Sequence, residues 1–227
     1  MKIGIDCGHT LSGAGTGAKG CGYKEEVLTR ELGGLVIDLL SKEGHTVYNC
    51  TVDSSCDSSQ QLKDRVIKAN KQTLDLFVSI HFNACVNDTK GNGKTTGTEV
   101  LVYSTTSKSN PYAQRIVNNI SNLGLKNRGV KTSNAYVLRH TKSPSLLIEV
   151  CFIDDKDDME VYKKSPKMVA KAIVEGILNK SIIDEVKTSV NGFYRVLAGS
   201  YKEKSNAIKR QEELKSKGIN TTIIYYE

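Results

Sequence analysis

LDLFVSIHFNA, residues 74–84, is the most strand-like segment of the sequence, rich in β-branched and aromatic residues. Because side chains alternate along a strand, Val78 and Ile80 share one apolar face, while His81 and Asn83 lie on the opposite face. That second face becomes polar towards the carboxyl end of the strand, where open α/β sheets bind their ligands. A solvated edge strand would show the same pattern, so the segment indicates either a site or an edge.

Segments of strand-like composition alternate on both sides of this strand with segments whose apolar residues recur every three or four positions. The predicted strands cover residues 2–6, 45–52, 97–104, 136–139 and 145–153. The predicted helices have apolar faces between residues 28 and 40, 62 and 69, 112 and 120, and 169 and 177. This alternation predicts an α/β three-layer sandwich, in which a mixed, mostly parallel sheet of about six strands is flanked by helices.

The domain organisation follows from the length. The chain has 227 residues, about one and a half domains of ordinary size. We expect a domain at residues 1–180, a polar linker at 181–188 and a small βαβ unit at 189–227. Within the small unit, the composition predicts a strand at 192–199, a helix at 203–217 and a strand at 219–226.

The net charge of the chain indicates what kind of partner it binds. The chain has 32 Lys and Arg residues against 25 Asp and Glu, a formal net charge of +7. A basic chain favours anionic partners, which include nucleic acid, anionic membrane and cell wall. Only 6% of the residues are aromatic, and they are not interleaved with basic residues. We therefore expect no nucleic-acid partner.

Composition also bears on location and redox state. No run approaches the roughly 18–20 apolar residues of a membrane span, and the first residues lack the apolar run of a secretion signal. We expect no membrane span, and synthesis in the cytoplasm without a signal peptide. The six cysteines include no CxxC pair, which predicts reduced and mostly buried thiols, with Cys7 a small packing residue.

Two positions carry unusual chemistry for their surroundings. Glu149 lies within the apolar run SLLIEVCFI, residues 145–153, where an ionised carboxylate is costly unless it is paired or near a cation. It is either a structural salt-bridge partner or an acid–base group beside a metal. His9 directly follows the first strand, after a glycine that lets the backbone turn.

A third position completes a possible metal-binding set. Glu25 and Glu26 lie at the start of the first predicted helix, where the helix dipole by itself favours carboxylates. One of them together with His9 and His81 would supply two imidazoles and a carboxylate. This is the ligand set of a catalytic zinc site, whose fourth position is left for water. The spacing of the three residues is not diagnostic by itself.

Four motifs in order resemble the zinc-dependent N-acetylmuramoyl-L-alanine amidases of the type-3 family, which occur as bacterial autolysins and phage endolysins. They are IGIDCGH at 3–9, GYKE at 22–25, SIHFNA at 79–84 and PSLLIEVCF at 144–152. The resemblance covers residues 1–180. It implies that His9, Glu25 and His81 bind Zn²⁺ and that Glu149 is catalytic, with Glu26 the competing choice beside Glu25.

The reaction implied is hydrolysis of the amide that joins N-acetylmuramic acid to L-alanine of the peptidoglycan stem peptide. Asn83 and Arg139 are candidates for a further donor to the developing oxyanion. The resemblance also implies action on the wall during cell lysis, as an endolysin released by a holin or as an autolysin freed when the cell lyses. The alternatives are a zinc carboxypeptidase-like peptidase, with Arg128 or Arg139 receiving a terminal carboxylate, and a non-catalytic wall-binding protein.

The C-terminal unit resembles the SPOR domain, a peptidoglycan-binding module. The resemblance rests on FYRVLAGSY at 193–201 and on the helix that follows. The full module has two βαβ halves, and we expect one of them at residues 189–227. Because a half unit leaves a sheet edge and an apolar face exposed, we expect two chains to pair through it as a homodimer.

Overall fold

The computed structural model describes residues 1–182 and 199–223. The chain divides into two compact units, Met1–Ile182 and Ile183–Glu227. In the described residues the strands are β1 (Lys2–Cys7), β2 (Ser12–Gly13), β3 (Lys19–Gly20), β4 (Tyr23–Lys24), β5 (Thr46–Asn49), β6 (Ser54–Ser55), β7 (Leu76–Asn83), β8 (Thr98–Val102), β9 (Asn127–Thr132) and β10 (Ser145–Phe152). The helices are α1 (Glu25–Lys42), α2 (Ser58–Asn70), α3 (Asn110–Ser121), α4 (Tyr136–His140), α5 (Lys156–Lys164), α6 (Pro166–Leu178) and α7 (Lys204–Ser216).

Six strands form the main sheet in the order β5-β1-β7-β10-β8-β9. All neighbouring pairs are parallel except β10 with β8, which is antiparallel. The prediction of a mixed, mostly parallel sheet of about six strands is therefore confirmed. Because β8 is reversed, its amino end lies at the edge of the sheet where β7 and β10 have their carboxyl ends.

The sheet is covered on both faces, as the predicted sandwich requires. One face packs against α1, α3 and α6 through a large apolar cluster that includes Ile80 and Ile148. The other face packs against α2 and α4 through a smaller cluster that includes Phe77 and Leu147. His81, further along the second face, belongs to neither cluster. This face is thus apolar under the two helices and polar towards the carboxyl ends of β7 and β10.

The predicted strand at 136–139 is wrong, since these residues form the short helix α4. Val137 and Leu138 are adjacent in sequence and both buried, with 4% and 3% of their surfaces exposed. A strand with one covered face buries alternate residues, whereas one turn of helix buries neighbours. A segment this short gives no periodicity by which to tell the two apart.

Besides the two-residue strands β2, β3, β4 and β6, two longer elements have no counterpart in the predictions. β9 is a polar edge strand, NRGVKT, that lacks the apolar alternation of a typical strand. α5 begins at Lys156 after Asp155, whose side chain accepts hydrogen bonds from the backbone N–H groups of Asp157 and Asp158. This N-cap supplies a stabilising start for a helix whose composition is mostly charged.

The cysteines are all free. Cys7, Cys50 and Cys151 are buried, Cys21 is half-buried, and Cys56 and Cys85 are exposed, so the prediction of buried thiols is correct for three of the six cysteines. Cys7 packs against α1, since a Cβ placed on Gly33 would lie 2.3 Å from its Sγ atom. It is thus a packing residue of the core.

The C-terminal unit contains α7, which lies where a helix is predicted. Leu214 is buried, and its carbonyl accepts a hydrogen bond from the N–H of Ile219. The described parts of the two predicted strands, Gly199 of the first and residues 219–223 of the second, are irregular, and the remainder lies outside the described residues. No helix within the described ranges is long and apolar enough to cross a membrane.

Candidate functional site

The candidate residues come from four different elements that meet at one edge of the sheet. His9 lies two residues after β1, Glu25 is the first residue of α1, and His81 and Glu149 lie near the carboxyl ends of β7 and β10. Neighbouring parallel strands bring their carboxyl ends to the same edge. The fold therefore gathers residues that are far apart in sequence.

His9, Glu25 and His81 form a group that could hold a metal ion, with ligand atoms within 4.8 Å of one another. Oε1 of Glu25 lies 3.1 Å from Nε2 of His9 and 3.1 Å from Nδ1 of His81. Donors bound at about 2.0–2.1 Å to one tetrahedral zinc ion are roughly 3.4 Å apart, close to these separations. The group thus has the size and donor chemistry of a zinc site.

His9 is held in place by backbone contacts on both sides. Its φ is +64°, in the left-handed region that a non-glycine residue rarely adopts. Its Nδ1 lies 3.1 Å from the carbonyl of Gly15, which accepts a hydrogen bond when Nδ1 carries the proton. A metal ion would take the place of the Nε2 proton, and this tautomer would then leave the Nε2 lone pair free to bind it.

Gly8 makes room for the second imidazole. A Cβ built on Gly8 would lie 2.3 Å from Cε1 and 2.4 Å from Nε2 of His81. No other amino acid fits there without moving the His81 ring. The ring centroids of His9 and His81 are 4.9 Å apart in an edge-to-face arrangement.

Two arginines fix the backbone that carries His9. Arg65 donates to the carbonyl of Cys7 at 2.7 Å and also to that of His9, while Arg30 donates to the His9 carbonyl at 2.7 Å. Arg65 is 1% exposed and is paired with the buried carboxylate of Asp6. These contacts offset the cost of the left-handed conformation, about 1–3 kcal/mol. The sequence predictions missed both arginines, although Asp6 within a buried strand was a signal that a cation must lie nearby.

The structure distinguishes the two neighbouring glutamates. Glu25 contributes Oε1 to the group, and its Oε2 accepts a hydrogen bond from the N–H of Ala18 at 3.0 Å. The side chain of Glu26 instead accepts one from the N–H of Gly17 at 3.2 Å. Burial acts to raise the pKa of Glu25, but hydrogen bonds with His81 and His9 lower it well below its usual range. Glu25 is therefore ionised at any ordinary pH.

Glu149 lies beside this group, on the neighbouring strand β10. It is in register with His81 on β7 and with Glu99 on β8. Its Oε2 atom is buried and has no hydrogen-bond partner among the described residues. Burial raises the pKa of Glu149 to about 7; the charges of Glu25 and Glu99 add to the increase, and His81 opposes it. A carboxyl group with this pKa can both accept and release a proton near neutral pH.

The two residues named as further donors have different surroundings. Nδ2 of Asn83 lies 3.4 Å from Oε1 of Glu99, so Asn83 is on the face that carries Glu149. Arg139 is exposed on α4, where its Nε lies 3.0 Å from Nε2 of His140. The structure thus brings Asn83, but not Arg139, to the carboxyl edge of the sheet.

Glu99 is a buried acid that the sequence predictions missed. It is 6% exposed, and its Oε2 lies 2.5 Å from Nε of Arg128 and 2.5 Å from Nζ of Lys131. Burial acts to raise the pKa of Glu99, but the hydrogen bonds from Arg128 and Lys131 lower it. Glu99 is the only charged residue in the predicted strand GTEVLVYS, residues 97–104, just as Glu149 is in residues 145–153. This feature of the sequence could have identified Glu99 as a candidate.

A second acidic group, Asp88, Asp155 and Asp157, also has oxygens within 4.8 Å of one another. These oxygens accept hydrogen bonds from the segment between β7 and β8: Asp155 from the N–H of Thr96 at 3.1 Å, and Asp157 from that of Gly93 at 2.9 Å. These hydrogen bonds hold the segment between β7 and β8 in place, and this structural role explains why the three aspartates lie close together.

Comparisons with known proteins place these residues in a family. Residues 3–179 match the sequence model of N-acetylmuramoyl-L-alanine amidase, and residues 167–225 match that of the SPOR domain. An uncharacterized protein of Clostridium perfringens is 37% identical over 190 residues, which are 82% of this chain and 54% of that protein. The chain thus spans about half the length of this relative.

Two other similar proteins have informative names. The sporulation-specific N-acetylmuramoyl-L-alanine amidase of Bacillus subtilis is 30% identical over 228 residues, 99% of this chain and 84% of that protein. The solved catalytic domain of an endolysin targeting Clostridium difficile has a TM-score of 0.71 and 35% identity, covering 81% of this chain and 99% of that domain. The fold, the edge-located group of histidines and glutamates, and these matches together show that the chain belongs to the N-acetylmuramoyl-L-alanine amidase family.

Proposed function

We propose that this chain hydrolyses the amide bond between N-acetylmuramic acid and L-alanine in peptidoglycan, with a zinc ion bound by His9, Glu25 and His81 and with Glu149 as the proton acceptor. The observation that carries the proposal is the juxtaposition of three metal-type donors with a buried carboxyl group that is in register with one of them. Family membership supports the choice of bond.

The donor set fits zinc. Two imidazoles and one carboxylate are the ligands of catalytic zinc sites, and a fourth position stays open for water or substrate. The carbonyl of Gly15 orients the imidazole of His9 towards the site. The carboxylate of Glu25 is already ionised, so it can bind a metal ion without first losing a proton. When bound, zinc supplies a Lewis acid that polarises the scissile carbonyl and lowers the pKa of water.

Glu149 handles the protons. In its ionised form Glu149 accepts a proton from the attacking water. Burial stabilises the protonated, neutral form of its carboxyl group relative to the charged form, which favours this transfer. Glu149 then passes the proton to the nitrogen of L-alanine as the amide bond breaks, so that the amine can leave. A pKa of about 7 suits both steps, since neither transfer is strongly uphill near neutral pH.

Asn83 is the proposed donor to the substrate near the scissile bond. Its Oδ1 accepts a hydrogen bond from the N–H of Ala84 at 2.8 Å, which fixes the amide with Nδ2 on the side of Glu99. The contact with Glu99 is long, at 3.4 Å, so Nδ2 can donate to a substrate oxygen at little cost. We expect Asn83→Ala to lower kcat more than it raises KM if the donor acts in the transition state.

The products distinguish this function from its alternatives. Mass spectrometry of a purified wall digest should show stem peptides with a free L-alanine amino group and glycan strands with intact lactyl groups. No new reducing sugar should appear. Release of single terminal amino acids would instead support a carboxypeptidase-like peptidase, and binding to walls without any release would support a non-catalytic protein. Chelation with 1,10-phenanthroline should stop the reaction, and added Zn²⁺ should restore it.

We propose that residues 1–180 are the catalytic domain, 181–188 a linker and 189–227 a unit that binds peptidoglycan glycan strands. The match of residues 167–225 to the SPOR domain supports the second role. Pairing of two such units in a homodimer stays a prediction. Light scattering of the full chain tests it, and a monomer at high protein concentration would contradict it.

The cell wall is the proposed place of action. The family match and the named amidase and endolysin relatives support it. Release through a holin or at cell lysis stays a prediction. Expression with and without a holin, followed by the fall in culture turbidity, tests it.

A further inference from the structure

A row of charged side chains continues from the candidate metal site across the sheet. Glu149 on β10 is in register with His81 on one side and with Glu99 of β8 on the other. Register partners on neighbouring strands present their side chains on the same face. The row therefore consists of His81 on β7, Glu149 on β10 and Glu99 on β8, which are three neighbouring strands of the sheet.

Two cations on the edge strand β9 complete the row. Arg128 and Lys131 both reach Oε2 of Glu99, at 2.5 Å each. The side chain of Glu99 is 9% exposed, whereas those of Arg128 and Lys131 are 29% and 43% exposed. One carboxylate faces two cations, so the solvent-accessible end of the row has an excess of one positive charge.

Arg128 keeps most of its hydrogen-bonding capacity. It donates to Glu99 through Nε, and its Cζ atom lies 5.0 Å from the centre of the Phe152 ring. Both Nη groups are without an acceptor among the described residues. The stacked ring and the Nε bond hold the guanidinium in place, and a fixed guanidinium fork matches the geometry of a carboxylate.

We propose that Arg128 and Lys131 form a subsite that binds a carboxylate of the stem peptide on the far side of the scissile amide. This inference rests on the proposed amidase function and specifies which substrates the site prefers. The cationic ends of Arg128 and Lys131 contact Glu99 on β8, which is one strand, about 4.8 Å, from Glu149 on β10. Two residues of an extended peptide span about 7 Å, which is enough to cover that distance.

The substrate carries a suitable group at this distance. The second residue of a stem peptide is D-glutamate joined through its side-chain carboxyl, so its α-carboxylate is free unless the cell converts it to a carboxamide. The cations would favour the acidic form, because a neutral carboxamide gains no charge-assisted hydrogen bond. The subsite thus selects stem peptides that are unamidated at the second residue.

The competing role for the two cations is structural, namely to hold Glu99 in place. That role affects both forms of the substrate alike, whereas the subsite affects the acidic form alone. The ratio of kcat/KM for the two forms therefore separates the two roles.

The experiment uses the zinc-loaded full chain and two disaccharide tetrapeptides that differ only in D-glutamate or D-isoglutamine at the second position. We expect the wild type to favour the acidic substrate by about three- to tenfold, mainly through KM. Lys131→Gln and Arg128→Gln should bring the ratio towards equality, while Lys131→Arg, which keeps the charge, should preserve it. Lys142→Gln, an exposed lysine outside the row, is the matched control and should leave both rates unchanged.

Equal rates for the two substrates in the wild type would overturn the subsite, as would a preference that persists in both glutamine variants. If the wild type cleaves neither tetrapeptide nor purified walls, the amidase function itself fails, which is a different outcome. If Arg128→Gln does not fold, Lys131→Gln still decides, since Lys131 is the more exposed of the two.

Discussion

Replacing Glu149 with Gln tests the proposed proton acceptor through both activity and stability. The substitution keeps the shape of the side chain and removes its ability to ionise. Burial raises the pKa of Glu149 from 4.5 to about 7. At about 1.4 kcal/mol for each unit of pKa, ionising Glu149 in the folded protein costs up to about 3 kcal/mol of stability.

The sign of the effect depends on pH. Below pH 4.5 the carboxyl group is protonated in both the folded and the unfolded chain, so it does not distinguish wild type from variant. Between pH 4.5 and about 7 the unfolded chain ionises while the folded chain holds its proton, and the wild type loses stability relative to Glu149→Gln. Above pH 7 the metal-free variant should be the more stable by up to about 3 kcal/mol.

Urea unfolding of the chelated proteins at pH 5 and pH 8 measures this difference, and wall lysis by the zinc-loaded proteins measures catalysis. We expect lysis by Glu149→Gln to fall by about 10²–10⁴-fold with zinc content unchanged. Glu160→Gln, at a side chain that is 60% exposed, is the control and should change stability by less than about 0.5 kcal/mol at either pH. Full lysis by Glu149→Gln with full zinc would refute the proton-acceptor role. A stability difference that is the same at both pH values would refute the reasoning from burial.

Four other substitutions test the metal site and its support. Glu25→Gln should abolish zinc binding measured by atomic absorption, whereas Glu26→Gln should retain it; the reverse result would exchange their roles. Gly8→Ala should reduce zinc affinity at least about tenfold in a competition assay with a chelator, since the added methyl group displaces an imidazole, and unchanged affinity would contradict this. Arg65→Met should lower the free energy of unfolding by about 3–5 kcal/mol, because the buried Asp6 loses its partner. A loss below about 1 kcal/mol would show that the ion pair is dispensable.

The parts of the fold with regular periodicity could be predicted from the sequence. Over eight residues β7 has one continuous apolar face and a second face that changes from apolar to polar towards its carboxyl end, and this pattern is enough to recognise it. The five residues of α4 span little more than one helical turn, and β9 has a single large apolar residue, Val130, so neither produces a pattern. The spacing of apolar residues reveals a helix or strand only when the element is long and has a buried face. A short helix or a polar edge strand gives no such spacing.

The residues of the candidate site were also difficult to identify from the sequence alone. His9, Glu25 and His81 have no diagnostic spacing, since they come from the ends of three separate elements, and only the resemblance to a family connected them. The choice between Glu25 and Glu26 depends on how the first turn of α1 is oriented, which one-dimensional spacing does not contain. Glu99 could be noticed as a charge in a strand, but its partners Arg128 and Lys131 depend on the pairing of β8 with β9.

The reversed direction of β8 has a consequence for how the protein can diversify. The segment between β7 and β8 leaves the sheet and returns to it at the same edge, with His81 near one end and Glu99 near the other. It can therefore lengthen without passing under the sheet or through the core. Doubling its length would add only about 0.6 kcal/mol of closure entropy. Insertions in this segment can accordingly change the surroundings of His81 and Glu99 while the strands that carry these two residues stay the same.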